Sequence, residues 1–343
     1  MAQINLLHIS DLHIAQFPER KEFSPREFLS PGNFTRTARE GTYAASYSSG
    51  KLSAVVALAY KIKDSLDAIV ITGDLATSGL EYDLKKALEF VEGPPDAENP
   101  SLSEDGIATI SGVGVGKIIL LPGNHDRYHE WRDAFDLVSL GYTPGNKKFH
   151  VVFQGHWQND VRTTLIEKDN LAVVICAADF SLRRRLDAHL PQPANWHAQG
   201  RVYTEDILPE LVVQTQAARA DCIQRNLEVV VIWALHFPPA FPNAASYMRL
   251  LDEEEVIAAT NESQVACILA GHTHKQVAYP LRNSNSYVFC AGSASQADVE
   301  DGNYCQMISI DNKDQETPLK VATYRLIAKN DKLEFVRARI AIG

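Results

Sequence analysis

Leu120-Leu121-Pro122-Gly123-Asn124-His125-Asp126 lies near the middle of the chain. The apolar run Ile118 to Leu121 reads as a buried strand, and Pro-Gly ends it abruptly. Three side chains that coordinate metals or move protons then follow in a row. Open α/β sheets place their sites on loops at the carboxyl ends of strands. Four further places repeat this design. Asp11 and His13 follow the apolar strand Ile4 to Ile9, and Gly73-Asp74 follow Ala68 to Ile71. His236 follows Val229 to Leu235, and His272 and His274 follow the run Ala266 to Gly271.

The 343 residues suffice to bury a substantial core, as one large domain or two. A formal net charge of -10 argues against a broad electropositive face for nucleic acid or an anionic membrane. It does not exclude a phosphate ligand, because bound cations dominate the local field. The five cysteines, Cys176, Cys222, Cys267, Cys290 and Cys305, form no C-x-x-C pair, and four lie in apolar runs. They read as small core residues in a reducing compartment. The first strand begins almost at Met1, which speaks against a signal peptide, and the longest apolar runs are too short to span a bilayer. The expectation is a soluble cytoplasmic protein.

Strands alternate with helices in the first part of the chain. Leu52, Val55, Val56, Ala59, Ile62 and Leu66 recur at helical spacing, so residues 52–66 are expected as an amphipathic helix. Leu84, Ala87, Leu88 and Val91 mark another, and helices are also expected over 130–140 and 205–226. Leu171 to Cys176 reads as a strand, whereas residues 143–170 carry no clear assignment. From Val277 onward the chain turns to short β-like runs at 287–290, 306–310, 319–326 and 333–342. This pattern predicts a mixed sheet plus a second, largely antiparallel one. Residues 15–50 form a long aperiodic insertion, either a lid over the site or a surface excursion. Residues 93–116, rich in Gly, Pro, Ser and acids, read as a surface loop without chemistry, and Arg183-Arg184-Arg185 as a solvated face. With no repeat or linker evident, residues 1–343 are read as a single domain.

The candidate set is Asp11, His13, Asp74, Asn124, His236, His272 and His274, with His125 beside them. Dications such as Mn²⁺, Fe and Zn²⁺ accept carboxylate, imidazole and amide oxygen. Seven ligands exceed what one such ion needs and suit two ions that share a bridging carboxylate and a bridging water. Two metals clamp the attacking and leaving oxygens of an in-line displacement at phosphorus, and both stabilise hydroxide. Taken singly, Asp74 could be a turn aspartate and His236 a satisfied polar residue. The ordered set of five strand-end signals leaves such ordinary explanations remote. His8, inside the first strand, reads as a core or edge histidine. His150, His156, His189 and His197 read as surface or structural, and His129 as ordinary rather than substrate-binding.

The series Asp11-Leu12-His13, Gly73-Asp74, Gly123-Asn124-His125-Asp126, His236 and Gly271-His272-Thr273-His274 resembles the calcineurin-like metallophosphoesterase superfamily. That resemblance implies a four-layer α/β/β/α sandwich with two mixed β-sheets and a dinuclear metal site between loops at the sheet edges. It implies that Asp11, His13, Asp74 and His274 hold the first metal, that Asp74 bridges, and that Asn124, His236 and His272 complete the second. The ions would be Mn²⁺, Fe²⁺/Fe³⁺ or Zn²⁺. His125 would bind the phosphate together with Asn124 and assist the leaving oxygen, with Asp126 orienting it.

The stretch Thr72-Gly73-Asp74-Leu75-Ala76-Thr77-Ser78-Gly79, followed by Glu81-Tyr82, is similar to the cyclic-nucleotide phosphodiesterase branch. The expectation is a phosphodiesterase that hydrolyses a small phosphodiester, with a cyclic nucleotide as a candidate, by attack of a metal-bridging hydroxide. The alternatives are a metal-dependent nuclease resembling DNA-repair exonucleases, a phosphomonoesterase, or an idle binding or scaffold member. The scaffold reading predicts lost ligands, yet every expected position is filled. The acidic charge counts against a nuclease, since duplex binding relies on Lys and Arg contacts to phosphates.

Overall fold

The computed structural model describes residues 2–15, 47–93, 105–127, 144–181, 200–242, 248–296, 302–311, 319–329 and 332–338. Most of the 15–50 insertion, residues 94–104, the 130–140 segment, the arginine run at 183–185, and His129, His189 and His197 lie outside them. Among the described residues no helix is long and apolar enough to cross a membrane.

In chain order the elements are β1 (Gln3–Ile9), α1 (Ser49–Ile62), β2 (Ala68–Thr72), α2 (Glu81–Glu92), α3 (Ile107–Ile110), β3 (Ile118–Leu121), α4 (Pro144–Val152), β4 (Val161–Lys168), β5 (Leu171–Ala178) and β6 (Gly200–Arg201). There follow α5 (Ile207–Gln224), β7 (Glu228–Leu235), β8 (Leu250–Leu251), α6 (Glu253–Glu262), β9 (Val265–Ala270), β10 (Gln276–Pro280), β11 (Tyr287–Ala291), β12 (Tyr304–Asp311), β13 (Leu319–Lys329) and β14 (Lys332–Ala338). One sheet runs β14-β13-β12-β1-β2-β3, the other β10-β11-β9-β7-β5-β4, and β6 pairs with β8 apart from both.

Both large sheets are mixed, which corrects the expectation of a second, largely antiparallel one. In the first sheet β1, β2 and β3 are parallel, and β12 joins β1 antiparallel as the start of the run β12-β13-β14. In the second, β5, β7, β9 and β11 are parallel, with β4 and β10 added antiparallel at the two edges. The late β-rich segment therefore divides between sheets that already exist. Alternation alone cannot foresee this, since it says which face of a strand is apolar but not beside which neighbour the strand lies.

The sheets pack face to face. Leu171, Val173, Ile175 and Ala177 of β5 enter the core shared with the first sheet. The alternate residues Ala172, Val174, Cys176 and Ala178 enter a second core beneath α5 and α6, with Leu211, Cys222, Val256 and Ile257. A strand buried on both faces shows the continuous apolar run of a parallel sheet. Helices α1 and α2 cover the outer face of the first sheet through Ala54, Val55, Leu58, Leu84, Ala87 and Val91. The result is the α/β/β/α order of layers.

The region 93–116 is not wholly surface loop. Ile107, Ala108 and Ile110 of α3 are buried, and Gly106 crosses close enough to the backbone of Glu92 and Gly93 that a Cβ would collide. The unassigned stretch at 143–170 holds α4 and β4, anchored by the fully buried Phe149, Phe153 and Trp157. All five cysteines are buried and unbridged.

Candidate metal centre

Register brings the motif loops together. Ile9 pairs with Ile71, and Thr72 pairs with Leu121, so Asp11, Asp74 and Asn124 leave the first sheet side by side. In the second sheet Ala178 pairs with Leu235 and Ala234 with Leu269, which aligns Asp179, His236 and His272 along the facing edge. Main-chain bonds stitch the loops, from Asp11 N to the Gly73 carbonyl (3.1 Å), from His13 N to the Asp74 carbonyl (2.9 Å) and from Gly271 N to the His236 carbonyl (3.0 Å). The Ser293 and Ser295 hydroxyls donate to the carbonyls of Asp11 and Leu12, each at 2.7 Å.

Two donor groups result, each with its ligand atoms within 4.8 Å of one another: Asp11, His13, Asp74 and His274, and then Asp74, His236 and His272. Nε2 of His13 and Nε2 of His274 lie 3.1 Å apart. His236 Nε2 and His272 Nδ1 lie 3.1 and 3.0 Å from Asn124 Oδ1. His236 Nε2 lies 3.3 Å from Asp74 Oδ2, and His274 Nε2 lies 3.4 Å from Asp11 Oδ1. Ring nitrogens, carboxylate oxygens and an amide oxygen thus converge in a buried setting, an arrangement that a shared cation satisfies. His13 Nδ1 and His272 Nε2 are also buried without a hydrogen-bond partner. The oxygen and imidazole donor set fits a pair of borderline dications.

The backbone is strained at these positions. Asp11, His13, Asp74, His272 and His274 all adopt φ between 51° and 67°. Left-handed backbone costs a non-glycine residue roughly 1–2 kcal/mol, and such outliers persist where the surroundings over-determine them and the site has a use for them. The neighbouring glycines have no such freedom to change. A Cβ at Gly123 would collide with Asp74 Oδ1, and one at Gly271 would collide with Ser10 Oγ and lie 2.6 Å from Asp11 Oδ2.

Electrostatics divide the ligands. Burial raises the Asp74 carboxyl, but His236, His125 and His13 outweigh it and hold Asp74 well below the carboxylate range. Burial lowers His236, and Asp74 with Asp11 and the Thr72 carbonyl overcome it, pushing this imidazole up to about 9. His274 is also raised, with Asp11 offsetting burial. His13 and His272 are lowered by burial and by neighbouring imidazoles. His236 Nδ1 donates to the Thr72 carbonyl (2.7 Å), which points Nε2 at Asn124 and Asp74.

The seven expected ligands and His125 come together, but Asp126 does not orient His125. Its carboxylate accepts from the main-chain N–H groups of Ala76 (2.7 Å), Gly123 (2.9 Å) and Leu75 (3.2 Å). Consecutive side chains on the short turn His125–Arg127 diverge, so Asp126 points inward while the His125 ring donates through Nδ1 to the Thr77 carbonyl (3.0 Å). Burial, then Asp74, against those three N–H bonds, pushes Asp126 up to about 7. His125 N also donates to Asp74 Oδ1 (2.8 Å).

His8 is buried beneath the site. Nδ1 faces Gln306 Oε1 (3.1 Å), a carbonyl oxygen, and so carries the proton, while Nε2 accepts from the Thr72 hydroxyl (2.9 Å). Burial lowers it to about 4. His156 is structural, its Nε2 2.8 Å from Glu92. Lys275 is exposed.

Sequence reasoning missed Asp179. It directly follows β5 as His236 follows β7, a signal hidden because the strand was ended at Cys176. A third acidic group, His150, Asp160 and Asp179, has ligand-like spacing. The Asp179 carboxylate there already receives Arg127 and, at 2.8 and 2.5 Å, the Ser181 N–H and hydroxyl. This group reads as an ion-pair network.

A face-to-face pair of mixed sheets with facing carboxyl-end loops that deliver carboxylates, an amide and imidazoles defines a dinuclear phosphoesterase architecture. The model of the calcineurin-like phosphoesterase family matches residues 4–276, and the chain belongs to that family. Its fold is similar to that of a dimetal phosphatase from Danio rerio, at 14% identity over 89% of this chain and 95% of that one, with a TM-score of 0.50. It is also similar to purple acid phosphatase PPD1 from yellow lupin (Lupinus luteus) seeds, at 11% identity over 94% of this chain and 52% of that one, with a TM-score of 0.52. No curated protein matches the chain. Membership in a superfamily built on a dinuclear metal centre makes the chain a metal-dependent phosphoester hydrolase.

Proposed function

We propose that this protein is a phosphodiesterase acting on a small phosphodiester, with a cyclic nucleotide as the first candidate. The observation that carries the reading is the fate of Arg127, the cation nearest the central motif. Its guanidinium is buried and bonded to Asp179, so its charge is answered inside the fold. A monoester brings close to two negative charges at neutral pH and a diester one. Among the described residues the cation that follows the central motif is thus neutralised within the fold, and a phosphate met chiefly by the two ions suits a diester. The similarity of Thr72 to Gly79 to the cyclic-nucleotide branch points the same way.

Asp11, His13, Asp74 and His274 would hold one ion, and Asn124, His236 and His272 with the shared Asp74 the other. Mn²⁺, Fe²⁺/Fe³⁺ and Zn²⁺ all suit these donors. When bound, such a pair lowers the pKa of water and neutralises charge developing at phosphorus. The chain's own part falls to His125 and Asn124. The Thr77 carbonyl holds the proton on His125 Nδ1, so Nε2 is the nitrogen that faces the phosphate, and from the doubly protonated ring it gives its proton to the leaving oxygen. Asn124, on the same turn, sets the phosphate's position. Asp126 holds that turn against the loop after Asp74.

The test compares kcat/KM for bis(p-nitrophenyl) phosphate, p-nitrophenyl phosphate, a cyclic mononucleotide and an oligonucleotide under one metal condition. The diesters should lead. A clear monoester preference overturns the reading, and efficient oligonucleotide cleavage puts the nuclease reading ahead of it.

A further inference from the structure

We propose that Arg127 and Asp179 form a positioning pair that fixes His125 against the second sheet. The inference rests on the reading of His125 as the proton donor to the leaving oxygen. Arg127 closes the single turn that carries His125, its N–H bonded to the Asn124 carbonyl at 3.1 Å. Its side chain leaves that turn for the other sheet, where the guanidinium donates to Asp179 Oδ2 and, at 3.5 Å, to Ser181 Oγ. The Phe149 ring lies 5.2 Å from the guanidinium carbon and flanks it. Asp179 is held in turn by the Ser181 N–H and by its own N–H to the Asp160 carbonyl (2.9 Å).

Two tethers of His125, to Thr77 and to Asp74, belong to loops of the first sheet. Three of the imidazoles around the phosphate position, His236, His272 and His274, belong to the second. Arg127–Asp179 spans the two, and Asp179 sits one strand from His236. Gly79 completes the arrangement, since a Cβ there would lie 2.7 Å from the Asp126 carbonyl and so the loop must pass backbone on backbone. A buried ion pair is weak evidence of stabilisation, because a well-packed apolar pair often serves as well. What it fixes is direction: a planar fork held by a carboxylate and an aromatic face allows one placement of its backbone.

Arg127→Met with Asp179→Leu removes the fork while filling the space. The thermal midpoint, ion content by elemental analysis, and kcat and KM are measured on a p-nitrophenyl diester and on an alkyl diester. The expected result is a folded variant with two ions and nearly unchanged KM. Turnover of the alkyl diester should fall about 10–10²-fold, the effect of a reacting group misplaced by an ångström. The nitrophenyl diester should hardly change, and in a His125→Ala background the pair change should cost nothing beyond the loss His125→Ala causes alone.

Equal losses on both diesters, a loss that adds to that of His125→Ala, or loss of an ion would each overturn the proposal. If the double variant fails to fold, Asp179→Asn keeps the shape and the Ser181 contacts and is held to the same criteria. The role of His125 is judged separately. If His125→Ala alone shows no dependence on the leaving group, that reading fails. If it shows one and the pair variant does not, only the pair proposal fails.

Discussion

The two sheets contribute unlike halves of the centre. The first supplies both carboxylates, the amide and two imidazoles, through Asp11, Asp74, Asn124, His13 and His125. The second supplies imidazoles alone, through His236, His272 and His274. The first sheet's Asp74 holds its negative charge firmly, while the second sheet's His236 and His274 hold protons more tightly than a free imidazole does. Neither edge makes a site by itself. The spacing between the donor groups is set by how the sheets pack, and Asp74 is the residue that reaches donors on both sides.

The largest effect should therefore come from Asp74→Ala, because it strips both groups at once. The variant should bind neither ion with useful affinity and should lose all metal-dependent turnover, as read by elemental analysis after reconstitution. His274→Ala should cost mainly the first ion. If Asp74→Ala keeps one ion tightly while His274→Ala loses both, the division between the sheets has been drawn in the wrong place.

His125→Ala comes next. It removes a group of the first sheet that lies beside the donors without being one of them. Metal content should stay near that of the wild type while turnover of an alkyl diester falls about 10²–10⁴-fold, the usual range for a positioned acid or base. Loss of the ions, or full activity, would remove His125 from that role.

A smaller effect tests the contact between the edges. Gly271 of the second sheet abuts Ser10 and Asp11 of the first, and Gly73 of the first abuts His236 of the second, where a Cβ would stand 2.5 Å from Nδ1. Gly271→Ala should lower metal affinity about 10–100-fold, the usual effect of disturbing a group behind a ligand. Gly116, which like Gly271 has no left-handed φ but has open space around it, should tolerate alanine with no change in metal affinity. Equal effects at the two would mean that loss of a glycine, rather than sheet contact, is what matters.

The candidate ligands that the fold brings together were legible in the sequence because each chemical signal stands where a strong strand signal stops. Asp11, Asp74, Asn124, His236 and His272 all follow apolar runs, and a run that ends in Gly and an ionisable residue has few other uses. What failed to show was partnership. That β12 lies beside β1, that Thr77 rather than Asp126 faces His125, and that Arg127 turns toward Asp179 each depend on contacts across tens or hundreds of residues. Phe149, Phe153 and Trp157 did stand at helical spacing, yet a single apolar stripe in a polar stretch was too sparse a pattern to read. The left-handed backbone at the candidate ligands had only a weak sequence signal, since Asp and His are enriched in that region yet seldom adopt it.

The mildest prediction concerns protons. Metal binding requires a deprotonated imidazole. His236 keeps its proton up to about 9, because Asp74, Asp11 and the Thr72 carbonyl outweigh burial. The Thr72 carbonyl occupies Nδ1, so the proton that must leave is the one on Nε2, the nitrogen that faces Asn124 and Asp74. Below about 9 every ion entering the second donor group must displace it, and the group's affinity should rise roughly tenfold per pH unit as the medium takes over that task.

His272, the other imidazole of that group, is lowered by burial and by His236 and is already neutral, so it adds no slope. Linkage gives the metal-free protein the opposite trend. A raised histidine pKa contributes stability that is full below 6.5 and is lost as pH climbs through about 9, so its thermal midpoint should decline across that window as metal affinity grows. Calorimetric titration of the metal-free protein at pH 7.5, in buffers of different ionisation enthalpy, counts the protons released. His236→Asn should release about one fewer than the wild type. Equal proton release by the two would show that the second sheet does not carry the charge assigned to it.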